Sequence, residues 1–215
     1  ADRLGNLVPG SGHLVHMPSH IYIRVGRYHD AVIANQRAIA ADQSYITQCH
    51  AQGLYPLAYV PHNHHFLLAG ATMAGNSKLA IEAARHTALH ADQKKMRERG
   101  YGTLQHYLVM PLYTLTRFGK WDEILAERSP LFDLRYPRGV WHYARGMALT
   151  AKGQLKEARR EWVMLSAIAS SPDLEKVTIW DINNAASLLK IASEVLAGEL
   201  AAKQGNYSEA IAHLE

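Results

Sequence analysis

Gly12–Ala41, GHLVHMPSHIYIRVGRYHDAVIANQRAIAA, carries two signals, one architectural and one chemical. The architectural one is a helical segment that runs into Gly26-x-Tyr28 and is followed by a second helical segment, with Ala31 and Ala38 seven residues apart. The chemical one is His13, His16 and His20, spaced three and four residues apart ahead of that turn. At ~3.6 residues per turn they fall within roughly 60° of arc, so one helix face carries three imidazoles. Pro18 cuts across this pattern, because an interior proline lacks an amide hydrogen and kinks or restarts a helix; a restart would leave His13 and His16 in a preceding turn.

Outward from that stretch the same turn recurs. Gly26-Arg27-Tyr28-His29-Asp30-Ala31 is followed by Gly75-Asn76-Ser77-Lys78-Leu79-Ala80, Gly119-Lys120-Trp121-Asp122-Glu123-Ile124, Gly153-Gln154-Leu155-Lys156-Glu157-Ala158 and Gly205-Asn206-Tyr207-Ser208-Glu209-Ala210. Each copy follows an apolar segment of helical period and precedes an Ala-rich one, the pattern of two antiparallel helices joined at a glycine cap. The chain is therefore expected to be all-α.

Composition narrows the function classes. At 215 residues and 48% hydrophobic the chain can bury a substantial core. No apolar run approaches the roughly 18–20 residues of a membrane helix, and the opening ADRLGNLVPG lacks the parts of a signal peptide. The net charge of +4 is scattered rather than gathered in a basic stripe, which argues against nucleic acid. A single cysteine, Cys49, excludes an internal disulfide. There is no Gly-x-Ser-x-Gly and no Gly-rich phosphate loop, so hydrolase and NTPase readings have no support and no catalytic residue is assigned.

The recurring turns, the small residues Ala31, Ala38, Ala80, Ala84 and Ala158, and Gly146 and Gly198 in the first helices of later copies resemble the tetratricopeptide repeat, a 34-residue helix–turn–helix unit. Ile124 departs from the small-residue pattern, and most copies lack the terminal proline. The resemblance implies one right-handed superhelical array over 1–215, with repeats at about 12–45, 61–94, 105–138, 139–172 and 191–215 and insertions at 46–60, 95–104 and 173–190. Both ends read as interrupted repeats, so the chain is expected to be a piece of a longer array whose terminal helices offer a surface for homo-oligomers.

In such repeats the second, fifth and ninth residues of the first helix face a concave groove. That register assigns His13, His62 and His106 to the second place, His16 and His65 to the fifth and His20 to the ninth, so six of the thirteen histidines share one surface. Two functions follow. The first is a binding scaffold whose His- and Tyr-rich groove takes a peptide, a protein segment or a small anion, with Arg24, His106, Tyr113, Arg117 and Tyr143 as contacts. The second is a Zn- or Cu-binding protein or metalloenzyme whose site is formed by His16, His20, His62 and His65, with His13 as an alternate ligand, since helical proteins build such centres from His at i, i+3 or i, i+4 completed by a neighbouring helix. The competing reading is hydrogen bonding between these imidazoles across the repeat interface. Tyr55 and Tyr59 lie on an insertion that suits either a lid over the groove or packing on a repeat edge.

Overall fold

The computed structural model describes residues 1–50, 53, 55–130 and 133–215; parts of the expected 46–60 insertion and of the 105–138 repeat lie outside them. The protein is almost wholly helical, and it divides into two units, Ala1–Asp92 and Gln93–Glu215.

In the first unit, α1 (Gly12–His16) and α2 (Pro18–Arg24) pack on α3 (Tyr28–Cys49), and α4 (Val60–Met73) packs on α3 and on α5 (Ser77–Leu89). The hydrogen-bond ladder does break at Pro18, but Met17 keeps right-handed helical angles (φ −50°, ψ −35°). The rotation per residue therefore carries through the break, and His13, His16 and His20 keep a common face. A π-helical turn, Tyr55–Tyr59, leads into α4.

In the second unit, α6 (Gly102–Arg117) and α7 (Trp121–Ala126) precede α8 (Arg135–Ala151), α9 (Leu155–Ala169), a two-stranded ribbon of β1 (Thr178–Ile179) and β2 (Asn183–Asn184), α10 (Ala185–Lys203) and α11 (Tyr207–Leu214). The helices that lead to the five glycine turns begin at Gly12, with the restart at Pro18, and at Val60, Gly102, Arg135 and Ala185. Leu189 and Leu196 of α10 sit over Gly139 and Gly146 of α8; a Cβ at either glycine would lie 2.4 Å from leucine. Ile124, where the other copies have alanine, is itself fully buried.

All five turn glycines adopt positive φ, from +64° at Gly119 to +83° at Gly205. In every copy the residue after glycine donates its amide hydrogen to the carbonyl five residues back: Arg27 to Tyr22, Asn76 to Ala71, Lys120 to Leu115, Gln154 to Leu149 and Asn206 to Ala201, each at 2.9 Å. Each glycine also bonds three residues back, which completes a Schellman cap. The position five residues after each glycine, Ala31, Ala80, Ile124, Ala158 or Ala210, closes the first turn of the next helix.

These two uses of glycine predict different costs. Gly153 has φ +76° and open space around its Cβ direction, so Gly153→Ala should cost about 1 kcal/mol of backbone strain. A Cβ at Gly12 would lie 1.9 Å from Asp42 Oδ1 and 2.6 Å from the Ala38 carbonyl oxygen, so Gly12→Ala should cost about 3 kcal/mol or more. Urea denaturation of the two variants checks the order.

Candidate metal centre

The site is built on α3. Its buried face reads Ala31, Asn35, Ala38, Asp42, spaced four, three and four residues apart, so two polar groups alternate with two small ones along the stripe that α1, α2 and α4 cover. Asn35 is fully buried and its amide orientation is fixed, because Nδ2 donates to the Ala31 carbonyl at 2.7 Å. Its Oδ1 is then the acceptor for His16 Nδ1 at 3.0 Å, and Ser19 Oγ lies 3.2 Å from the same nitrogen. His16 is also fully buried. With its proton on Nδ1, the lone pair of His16 sits on Nε2.

That lone pair meets two more imidazoles. His20 Nε2 and His62 Nε2 each lie 3.0 Å from His16 Nε2. One sp² lone pair accepts one good hydrogen bond, so it cannot satisfy two imidazole donors equally. Tetrahedral Zn–N bonds of about 2.0–2.1 Å would set nitrogens about 3.3 Å apart, close to the spacing here. His13 joins the group from the preceding turn: His13, His16 and His62 each present a ligand atom within 4.8 Å of the others. His13 Nδ1 is buried with no hydrogen-bond partner among the described residues. Burial pushes His16 down to about 3 and His62 down to about 4, with further lowering from neighbouring histidines, and burial also lowers His13 and His20. His16 and His62 are therefore uncharged at neutral pH, as metal ligands must be.

The surroundings are apolar on one side and anionic on the other. Phe66, one turn after His62 on α4, packs its ring 4.7, 4.3 and 4.8 Å from those of His16, His20 and His62. Tyr59 lies against His13 at 4.4 Å. Asp42, 2% exposed, accepts from Tyr55 Oη at 2.6 Å and from Asn63 Nδ2 at 2.7 Å. Its carboxylate has no Lys or Arg partner among the described residues, and its charge acts on His13. A buried carboxylate beside neutral imidazoles is a setting that a bound cation completes.

Of the residues singled out from sequence, His13, His16, His20 and His62 come together. His65, on the same helix, is near enough to His62 to lower its pKa. α4 turns its 62/66 edge toward α1 and α2, which places Phe66 against the three imidazoles. Arg24 is exposed at the end of α2, where its charge acts on His20. In the second unit, His106, Tyr113 and Tyr143 line one pocket of about 380 Å³ with Met110, Leu188, Ile191, Ala192 and Val195, while Arg117 is exposed at the end of α6. The pocket is mainly apolar. Tyr136, not anticipated there, is fully buried with its hydroxyl 2.7 Å from His106 Nδ1. Asn35, Asp42 and Phe66 were also missed; a polar residue in phase with the Ala31/Ala38 stripe is the signal that would have found the first two. His64, His86 and His90, likewise not anticipated, form a separate group of possible ligands.

Comparisons with protein-family models, curated proteins and solved structures found no match.

His106 gives this chain a pH response. Burial lowers it to about 4, against about 6.5 in an unfolded chain. Below pH 6.5 the unfolded state takes up a proton that the folded state refuses, so stability is complete above that pH and falls as pH drops toward 4, by up to about 3 kcal/mol. The stability of the wild type should therefore decline more steeply between pH 7 and 4.5 than that of His106→Gln, measured by urea denaturation; parallel profiles would contradict the assignment.

Proposed function

We propose that the protein is a tetratricopeptide-like helical array that binds a transition metal ion, Zn²⁺ or Cu²⁺, through His16, His20 and His62 with His13 completing the set. The observation that carries this reading is the single lone pair of His16 Nε2, held by the Asn35 bond and approached at 3.0 Å by two further imidazole nitrogens. Imidazole ligands favour Zn or Cu over the oxygen-seeking Mg and Ca. Asn35 plays the orienting part that a metal-bound imidazole needs on its second nitrogen. Asp42 is committed to Tyr55 and Asn63 and so is not poised as a general base, which favours metal binding over hydrolytic chemistry.

The binding-scaffold reading retains one supporting observation, the pocket of His106, Tyr113 and Tyr143. Its lining of Met110, Leu188, Ile191 and Val195 suits an apolar peptide side chain better than an anion.

Metal-stripped protein without a polyhistidine tag, titrated with Zn²⁺ by calorimetry, tests the metal reading. His16→Ala/His62→Ala should lose a tight equivalent outright, and Asn35→Leu should weaken it 10–100-fold while leaving all four imidazoles in place. Unchanged affinity in the double variant would remove the assignment.

A further inference from the structure

α4 carries histidines on two sides. His64 is two residues beyond His62, a rotation of about 200°, so it leaves the helix on the side away from the centre described above. There it meets α5, the helix closed against α4 by the Gly75 turn. His86 stands in the last turn of α5 and His90 caps that helix, four residues apart and therefore on one face.

The three rings converge. His64 lies 5.1 Å from His86 and 5.3 Å from His90 between centroids, and each residue offers a nitrogen within 4.8 Å of the other two. His64 is 6% exposed, and its Nδ1 is buried with no hydrogen-bond partner among the described residues. A buried, unpaired imidazole nitrogen is destabilising and calls for a partner. Asn63, next in sequence, anchors α4 to Asp42, which fixes the rotation that sends His62 one way and His64 the other. The C-terminal end of α5 adds its partial negative charge beside His86 and His90.

We propose that His64, His86 and His90 form a second site for a divalent transition metal ion such as Zn²⁺, Cu²⁺ or Co²⁺, a three-imidazole face with its remaining coordination open to water. No carboxylate belongs to the group, so Mg²⁺ and Ca²⁺ are poor candidates. Ring rotations of His86 and His90 at the end of α5 would bring the nitrogens to the ~3.3 Å spacing of a tetrahedral zinc ion. His90 is exposed, whereas His16 at the first centre is fully buried, so the second ion exchanges faster.

The test uses the full chain, metal-stripped, titrated with Co²⁺ by visible absorption and equilibrium dialysis. The variants are His86→Ala/His90→Ala, which lies toward the surface and leaves buried His64 in place, and separately His16→Ala/His62→Ala. Loss of one Co²⁺ equivalent in His86→Ala/His90→Ala, with the wild-type helical circular dichroism kept, is the expected result. An unchanged number and affinity of bound Co²⁺ in that variant would overturn the proposal. The His16→Ala/His62→Ala titration reports on the first centre alone, so the two sites stand or fall separately.

Discussion

Each helical hairpin of this protein is closed by one glycine held in the left-handed region, and the rest of the structure inherits its phase from that turn. The carbonyl five residues before each turn is bound at the same 2.9 Å in all five copies. The following helix therefore starts at a fixed rotation relative to the one before it. In the first hairpin this puts Ala31, Asn35, Ala38 and Asp42 against α1, α2 and α4, and the fully buried alanines let those helices come close enough for imidazoles on different helices to touch. Gly12, at the start of α1, is the tightest of these approaches.

Where the α3 face could have been wholly apolar, it carries two buried polar side chains. They are an amide and a carboxylate, each with its hydrogen bonds supplied: Asn35 between Ala31 and His16, Asp42 between Tyr55 and Asn63. Burying polar groups stabilises a fold only weakly even when they are fully paired. What these two accomplish is positional: Asn35 fixes which nitrogen of His16 carries the proton, and Asp42 holds α4 in rotation and lends charge to the neighbourhood of His13.

How far the sequence revealed this follows from the range of each interaction. The glycine turns were legible because a Schellman cap is local and needs only glycine and its neighbours. His13, His16 and His20 were legible as one face because phase within a helix is set by its period, and Met17 preserves that period through Pro18. Rotation between helices is set by packing, as where Gly70 of α4 meets Val32 of α3, and no periodicity encodes it. Hence the packing of Phe66 on the cluster was not legible, and although the Gly75 turn pairs α4 with α5, the facing of His64 with His86 and His90 was not. Tyr136 was hidden for a related reason: α8 begins at Arg135, so a residue read as the end of one repeat belongs to the first helix of the next.

The most direct measurement is X-ray absorption at the zinc K-edge on the chain loaded with one equivalent of Zn²⁺. A metal held by this histidine cluster gives a first shell of nitrogen at about 2.0–2.1 Å with the outer-shell scattering of several imidazole rings. A shell of oxygen alone, or a thiolate sulfur at about 2.3 Å from Cys49, would contradict the account.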